Sequence, residues 1–346
     1  MRALQLHGDR DLRLVEMDDP AAPAFGEVQI AVSHVALNHI DVWGFRGMAF
    51  AKRQMPLVVG AEGSGTIVAV GEGVSTFKTG DRVSMYGALT CGECKNCKAG
   101  IDNLCEDVKG VYGFHIHGFA REKLNMPARL VVKVPDAVAL EDAACTGIAF
   151  GTTQHMLFDN AKLLPGETIL VHAGGSGIGT VAIKMAKAIG CTVITTVGDD
   201  EKGIKAKALG ADHVINYNTE RFEGEVRQWT KRNSPNKTIG VDVVFEHVGA
   251  DTWNGSLLSM KKGGRLVTCG STSGVTTTMN LMQLFQQQYR IFGSFGCRID
   301  NMHQSLAKMA DGITPVIDTI FPVSDLRMGV ERLESRKVFG KILVAF

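Results

Sequence analysis

The chain lacks several things, and each shortage excludes something. Its 346 residues contain no apolar run of about 18, the length a membrane-spanning helix needs. Charge of one sign is also missing. The 37 Lys and Arg against 36 Asp and Glu leave a formal net charge of +1, so nothing favours a nucleic-acid partner. Lys202, Lys205 and Lys207 read as a solvated helix face. There is no internal repeat and no low-complexity linker. Met1 to Asp9 alternates like a strand and holds no long apolar stretch of a secretory leader. Aromatics make up only 7%, whereas glycine reaches 40 residues, a balance that suits many tight strand-to-helix turns. The length allows about two domains.

Cysteine is distributed unevenly. Half of the eight lie between positions 91 and 105, spaced C-x2-C-x2-C-x7-C: Cys91, Cys94, Cys97 and Cys105. Four thiolates close a tetrahedral shell around Zn²⁺ and leave no position for substrate, so this lobe is expected to hold one structural zinc. Cys145, Cys191, Cys269 and Cys297 stand singly in apolar or glycine-rich contexts, as buried free thiols do. Together these predict a reducing, cytoplasmic setting.

The rhythm of the chain changes near residue 140. Before it, Val28 to Val35 alternates with period two. Short strands at Gly65–Gly71, Asp81–Met85 and Leu130–Val134 are bounded by Gly, Asp or Pro, the pattern of a turn-rich, partly open β-barrel. After it, Glu141 to Asn160 reads as helix and Thr168 to Ala173 as a buried strand. Thr180 to Ile189 reads as a helix ending at Gly190. Strands near 192–197, 213–216, 241–246 and 265–269 then alternate with helical stretches, so a doubly wound parallel sheet is expected. The tail from Ile320 to Val344 looks like a helix bracketed by strands that return to the first domain. The expected division is residues 1–149 with 297–346, and residues 150–296.

Val171-His-Ala-Gly-Gly-Ser-Gly-Ile-Gly179 follows a strand and opens a helix. Glycine lets backbone approach a pyrophosphate, and a helix N-terminus supplies free N–H groups. The expected contacts are Gly174, Gly175, Ser176, Gly177, Ile178 and Gly179. The cysteine spacing and this loop together resemble the medium-chain dehydrogenase/reductase superfamily, and the loop is similar to that of its quinone-reductase branch. The resemblance implies a GroES-like catalytic domain, a Rossmann domain, a cleft between them, and a homodimer or homotetramer. A NAD site wants a carboxylate about 20 residues past the loop; Val197 stands there, followed by Gly198. Lys202, Tyr217 and Arg336 match phosphate contacts of the quinone-reductase branch. NADPH is therefore expected over NADH, with Asp199 and Asp200 as opposing charges.

Ala36-Leu-Asn-His-Ile-Asp-Val-Trp43 and Gly60-Ala-Glu-Gly-Ser-Gly-Thr66 resemble the two segments lining the superfamily's catalytic cleft. Its zinc alcohol dehydrogenases carry metal ligands at positions matching Asn38, Ala61 and Cys145. Ala cannot bind a metal and an amide binds zinc poorly. The resemblance thus implies a structural zinc kept and the standard catalytic zinc lost. A small-molecule quinone or α,β-unsaturated carbonyl is the expected substrate. Asn38 and Thr66 are expected to donate to its oxygen, His39 to shuttle a proton, and Asp41 and Glu62 to anchor the backbone. The stretch Gly47–Phe50 lacks the Tyr of the enoyl-thioester branch. Two alternatives stay open. One is an alcohol dehydrogenase or aldehyde reductase without a metal, or with one rebuilt from His39, Asp41, Glu62, Cys145 and His155. The other is an NADPH-binding sensor or RNA-binding protein.

Overall fold

A computed structural model of the chain describes residues 1–47, 53–234 and 237–346. They form two compact units, Met1–Gly151 with Cys297–Phe346, and Thr152–Gly296.

The first unit is β-rich. Strand Glu27–Ala36 is its spine, with alternate residues buried as the period-two pattern requires. Strands Gly63–Val70 and Lys123–Pro127 pair antiparallel with it. The C-terminal strand Lys341–Ala345 pairs with its far end and carries Ile317–Pro322 beyond. The last strand thus returns to the sheet whose spine is Glu27–Ala36.

Register decides what meets at the end of the spine. Val35 faces Gly63 on one side, and Ala36 faces Leu343 on the other. One step further along the first neighbour is Glu62, and two steps along the second is Lys341. Both come level with the spine's exit, Leu37 and Asn38, where helix His39–Phe45 begins.

The second unit is a six-stranded, all-parallel sheet. Its order is His213–Asn216, Thr192–Val197, Thr168–Val171, Val241–Glu246, Met260–Thr268, Arg290–Gly293. The order reverses between Thr168–Val171 and Val241–Glu246, the switch point at which such sheets take ligands. Leu170, Ile194, Ile215 and Val244 form its core with Leu257 and Met260.

Two local expectations need correction, and one strand was not foreseen. The helix expected from Thr180 starts at Gly177, because the Ser176 side chain accepts the N–H of Gly179 and caps it there. Arg290–Gly293 is a strand that alternation did not reveal, with its residues only partly buried. The helix expected over 141–160 is not continuous α: Thr146–Phe150 and His155–Asn160 are π-helical. The cause of the first π segment is specific. Glu62 Oε1 accepts the N–H groups of Ile148 (2.5 Å) and Ala149 (2.7 Å), so they leave the helical ladder. Phe150 then bonds back to Cys145, five residues earlier.

Candidate active site and zinc lobe

The four clustered thiols face one another. Their sulfurs all lie within 4.8 Å, with Cys91 3.9 Å from Cys97 and 3.5 Å from Cys105. Zn–S bonds of about 2.3 Å in a tetrahedron place sulfurs about 3.8 Å apart, so the donor set fits. Gly92 and Gly100 take positive φ to turn the lobe. Asn96 closes it by donating to the carbonyl of Leu104 (2.6 Å). Backbone N–H groups of Glu93 and Cys94 donate to the Cys91 sulfur. Those of Cys97 and Glu106 hold Cys94 down to about 6, whereas burial pushes Cys97 up to about 12. Four thiols this close ionise together only around a cation. Asp102 ties the lobe to helix Ile299–Ala310, accepting the N–H of Ile299 at 3.2 Å.

At the spine's exit the structure builds a node that sequence reasoning only half saw. Glu62 is fully buried and Lys341 nearly so. The Lys341 ammonium donates to Glu62 Oε2 (2.9 Å), Asn38 Oδ1 (2.7 Å) and the carbonyl of Leu37 (2.8 Å). Asn38 Nδ2 donates to Glu62 Oε2 and to the carbonyl of Ala36, both at 3.0 Å. This corrects the expected role of Asn38: both amide hydrogens are spent inside the protein, and neither is left for a substrate oxygen. Asp41 Oδ2 accepts the backbone N–H of Asn38 at 2.8 Å and secures the start of the helix. Burial pushes the Asp41 carboxyl up to about 6, against the pull of that N–H and of Lys341.

The other expected residues scatter. His39 opens the helix and is exposed. Thr66 sits four residues along strand Gly63–Val70, about 13 Å from Glu62 at the usual strand rise, so it does not join the node. Cys145 is buried, its thiol pushed far up by that burial and its nearest acceptor the Glu141 carbonyl at 3.9 Å. His155 pairs with Asp159 at 2.7 Å in the other unit. Among the described residues, the four thiols are the one group in which three or more His, Cys, Asp or Glu donors converge. The expectation that Gly47–Phe50 lacks a Tyr falls on residues 48–50, outside the described ones. Lys341 carried no local signal, since a lysine opening a C-terminal strand looks like an ordinary edge residue. Only the register shows that it meets Glu62.

In the second unit the glycine-rich loop is tightly constrained at Gly174 and Gly179. A Cβ on Gly174 would lie 2.2 Å from the Thr195 hydroxyl oxygen, and one on Gly179 2.3 Å from the Ala173 carbonyl. Only glycine permits this strand–helix approach. Below the loop, His172 Nε2 meets the Ser256 hydroxyl (2.9 Å), which donates to the buried Glu246 (2.7 Å) and fixes the loop's root. At the end of the next strand, Val197 is buried and the Tyr217 hydroxyl lies over Gly198. Asp199 caps helix Asp200–Ala208 by accepting the Lys202 N–H (2.8 Å) and faces that lysine's ammonium at 3.8 Å. Asp200 accepts from Asn216 at 2.8 Å. Tyr217 thus meets Gly198, Lys202 faces Asp199, and both neighbouring carboxylates have partners. Arg336 is exposed and belongs to the first unit.

Comparison with known proteins finds two family models along the chain. Residues 24–136 match the alcohol dehydrogenase GroES-like domain, and residues 177–311 match the zinc-binding dehydrogenase family. A quinone oxidoreductase of Salmonella typhimurium is 31% identical, with 97% of this chain and 96% of that protein covered. An acryloyl-coenzyme A reductase of Metallosphaera sedula is 29% identical, with 99% of each covered. A solved NAD-dependent alcohol dehydrogenase superposes over 100% of both chains with a TM-score of 0.92 at 34% identity. Sheet topology, loop and thiol lobe lead to the same place: the chain belongs to the medium-chain dehydrogenase/reductase superfamily and is an NAD(P)-dependent oxidoreductase.

Proposed function

We propose that the protein transfers hydride from NADPH to a quinone or an α,β-unsaturated carbonyl. The observation that carries this reading is the side-chain set at the Asn38–Glu62 node. The segment that would present alcohol dehydrogenase ligands offers the methyl of Ala61, an amide whose hydrogens are both used, and a carboxylate held by Lys341. An alcohol needs its proton removed and its alkoxide stabilised, which an open-site zinc does. A conjugated carbonyl arrives already electrophilic and needs only stabilisation of the forming enolate. Relatives named as quinone oxidoreductase and acryloyl-coenzyme A reductase support the class.

Bound nicotinamide supplies the hydride. The loop Gly174–Gly179 would hold its pyrophosphate by backbone N–H groups. Lys202 and the Tyr217 hydroxyl, beside Gly198, would take the 2′-phosphate, and Arg336 is a further candidate for it. His39, exposed at the head of its helix, would return a proton. Asp41, Glu62 and Asn38 hold the backbone from which it projects. The four-thiolate zinc is structural. The edge strand Arg290–Gly293, beside the exposed Leu281, Met282 and Phe285, is suited to pairing with a second copy. Eight free cysteines suit a reducing, cytoplasmic compartment, and no described helix is long and apolar enough to cross a membrane.

The test is a substrate panel. NADPH oxidation is expected with some quinone or enone and should survive mild chelation that spares the thiol lobe. Zinc-dependent oxidation of ethanol or benzyl alcohol, with a second metal bound near Glu62, would overturn the reading in favour of an alcohol dehydrogenase.

A further inference from the structure

The node around Glu62 contains a residue that the proposed mechanism does not use. Lys341 lies almost wholly buried, and its three ammonium hydrogens match three acceptors: the Leu37 carbonyl, Asn38 Oδ1 and Glu62 Oε2. None is left for a substrate. Glu62 in turn accepts from four donors on three other segments. These are the Lys341 ammonium, the Asn38 amide, and the backbone N–H groups of Ile148 and Ala149. The acceptance of two mid-helix N–H groups is what makes Thr146–Phe150 a π turn. Cys297 packs on the same turn, donating from its thiol to the Gly147 carbonyl at 3.1 Å.

We propose that Lys341 is a positioning residue of the active site: its ammonium fixes the Asn38 amide in one orientation and holds the Glu62 carboxylate against the turn Thr146–Phe150. The catalytic consequence rests on the function proposed above, which places the substrate beside the Asn38 segment. A carboxylate buried without a counter-charge does not keep its place. Without Lys341 the Asn38 amide oxygen also loses its donor, and the amide is held only through its nitrogen's bonds to the Ala36 carbonyl and Glu62. The Ile148 and Ala149 N–H groups would then compete for ordinary helical acceptors, and the floor of the site would lose its single arrangement.

The experiment compares Lys341→Met, Lys341→Arg and wild type as full-length, zinc-loaded protein. Amide hydrogen exchange is read at Ile148 and Ala149, and kcat and KM are read with a reducible quinone. Lys341→Met is expected to speed exchange at both amides at least tenfold. It should lower kcat more than tenfold with KM within threefold, and leave NADPH affinity unchanged. Lys341→Arg, which keeps the charge, should recover to within threefold of wild type. Unchanged exchange at Ile148 and Ala149 in Lys341→Met overturns the proposal. So does a folded Lys341→Arg protein as impaired as Lys341→Met. If Lys341→Met does not fold, the Glu62→Gln/Lys341→Met protein removes both charges at once. It is expected to fold with fast exchange and low kcat, and wild-type values there also overturn the proposal. Exchange needs no substrate, so wild-type protein that reduces no quinone or enone refutes the functional reading alone, and the exchange comparison still decides the role of Lys341.

Discussion

Replacing Lys202 by Ala should separate the two nicotinamide cofactors. The side chain is part-exposed, with its ammonium 3.8 Å from Asp199. A hydrogen bond to a charged group is worth about 1.5–3 kcal/mol, and screening at this exposure favours the lower end. At 1.4 kcal/mol per tenfold, the variant should bind NADPH about tenfold more weakly. A second effect acts in the same direction. Asp199 would lose its facing cation and repel a 2′-phosphate more strongly, whereas NADH has no phosphate there. The NADPH loss should therefore exceed the NADH loss by at least the full tenfold, and raised salt should shrink the difference. Calorimetric titration of both cofactors into wild type and variant measures this. Equal weakening of both, or tighter NADH binding by the wild type, would refute the reasoning and make Asp199 or Asp200 the ribose ligand.

Two further outcomes follow from other parts of the molecule. Cys94→Ser should lower bound zinc from about one per chain towards zero and speed hydrogen exchange across residues 91–105, since the lobe's order depends on its metal; full zinc retention by mass spectrometry would contradict the four-thiolate site. Phe285→Glu, at an exposed position beside the edge strand, should shift sedimentation of the wild-type assembly towards the monomer, and an unchanged assembly would remove this face as the interface.

The parts of this protein legible in sequence are those in which chemistry is local. Cysteine spacing, the Gly174–Gly179 loop and the missing acid at Val197 each rest on short spacings along the chain, so residue types alone announce them. The alternation of Val28–Val35 likewise gave the spine strand. The node was not legible, because it is made by register. Glu62 and Lys341 are 279 positions apart and meet only because strands Gly63–Val70 and Lys341–Ala345 flank the same spine. Asn38 was singled out, but as a donor to substrate, since an amide's availability depends on neighbours that a sequence does not name. The π turn was invisible for the same reason: its helical pattern is ordinary, and a carboxylate from another strand redirects its N–H groups.

Asp41 offers a test of the same node by its electrostatics. Its carboxyl is buried, and burial outweighs the Asn38 N–H and the Lys341 charge, raising it from 3.8 to about 6. A carboxyl whose folded value is raised binds its proton more tightly when folded. Its contribution is therefore fully present below about pH 4 and is lost as pH rises through about 6. The difference of about two units corresponds to about 3 kcal/mol at most. Asp41→Asn removes the titration while keeping an oxygen to accept the Asn38 N–H. Relative to wild type, the variant should gain stability between pH 4.5 and 7 and hold that gain to pH 8. Other carboxylates such as Glu334 and Asp318 are lowered and push the opposite way, so only the difference between the two proteins at each pH isolates Asp41. Paired melting curves across that range measure it. A difference that stays flat with pH, or that falls as pH rises, would mean that the Asp41 carboxylate is stabilised where it sits and that Lys341 and the Asn38 N–H outweigh its burial.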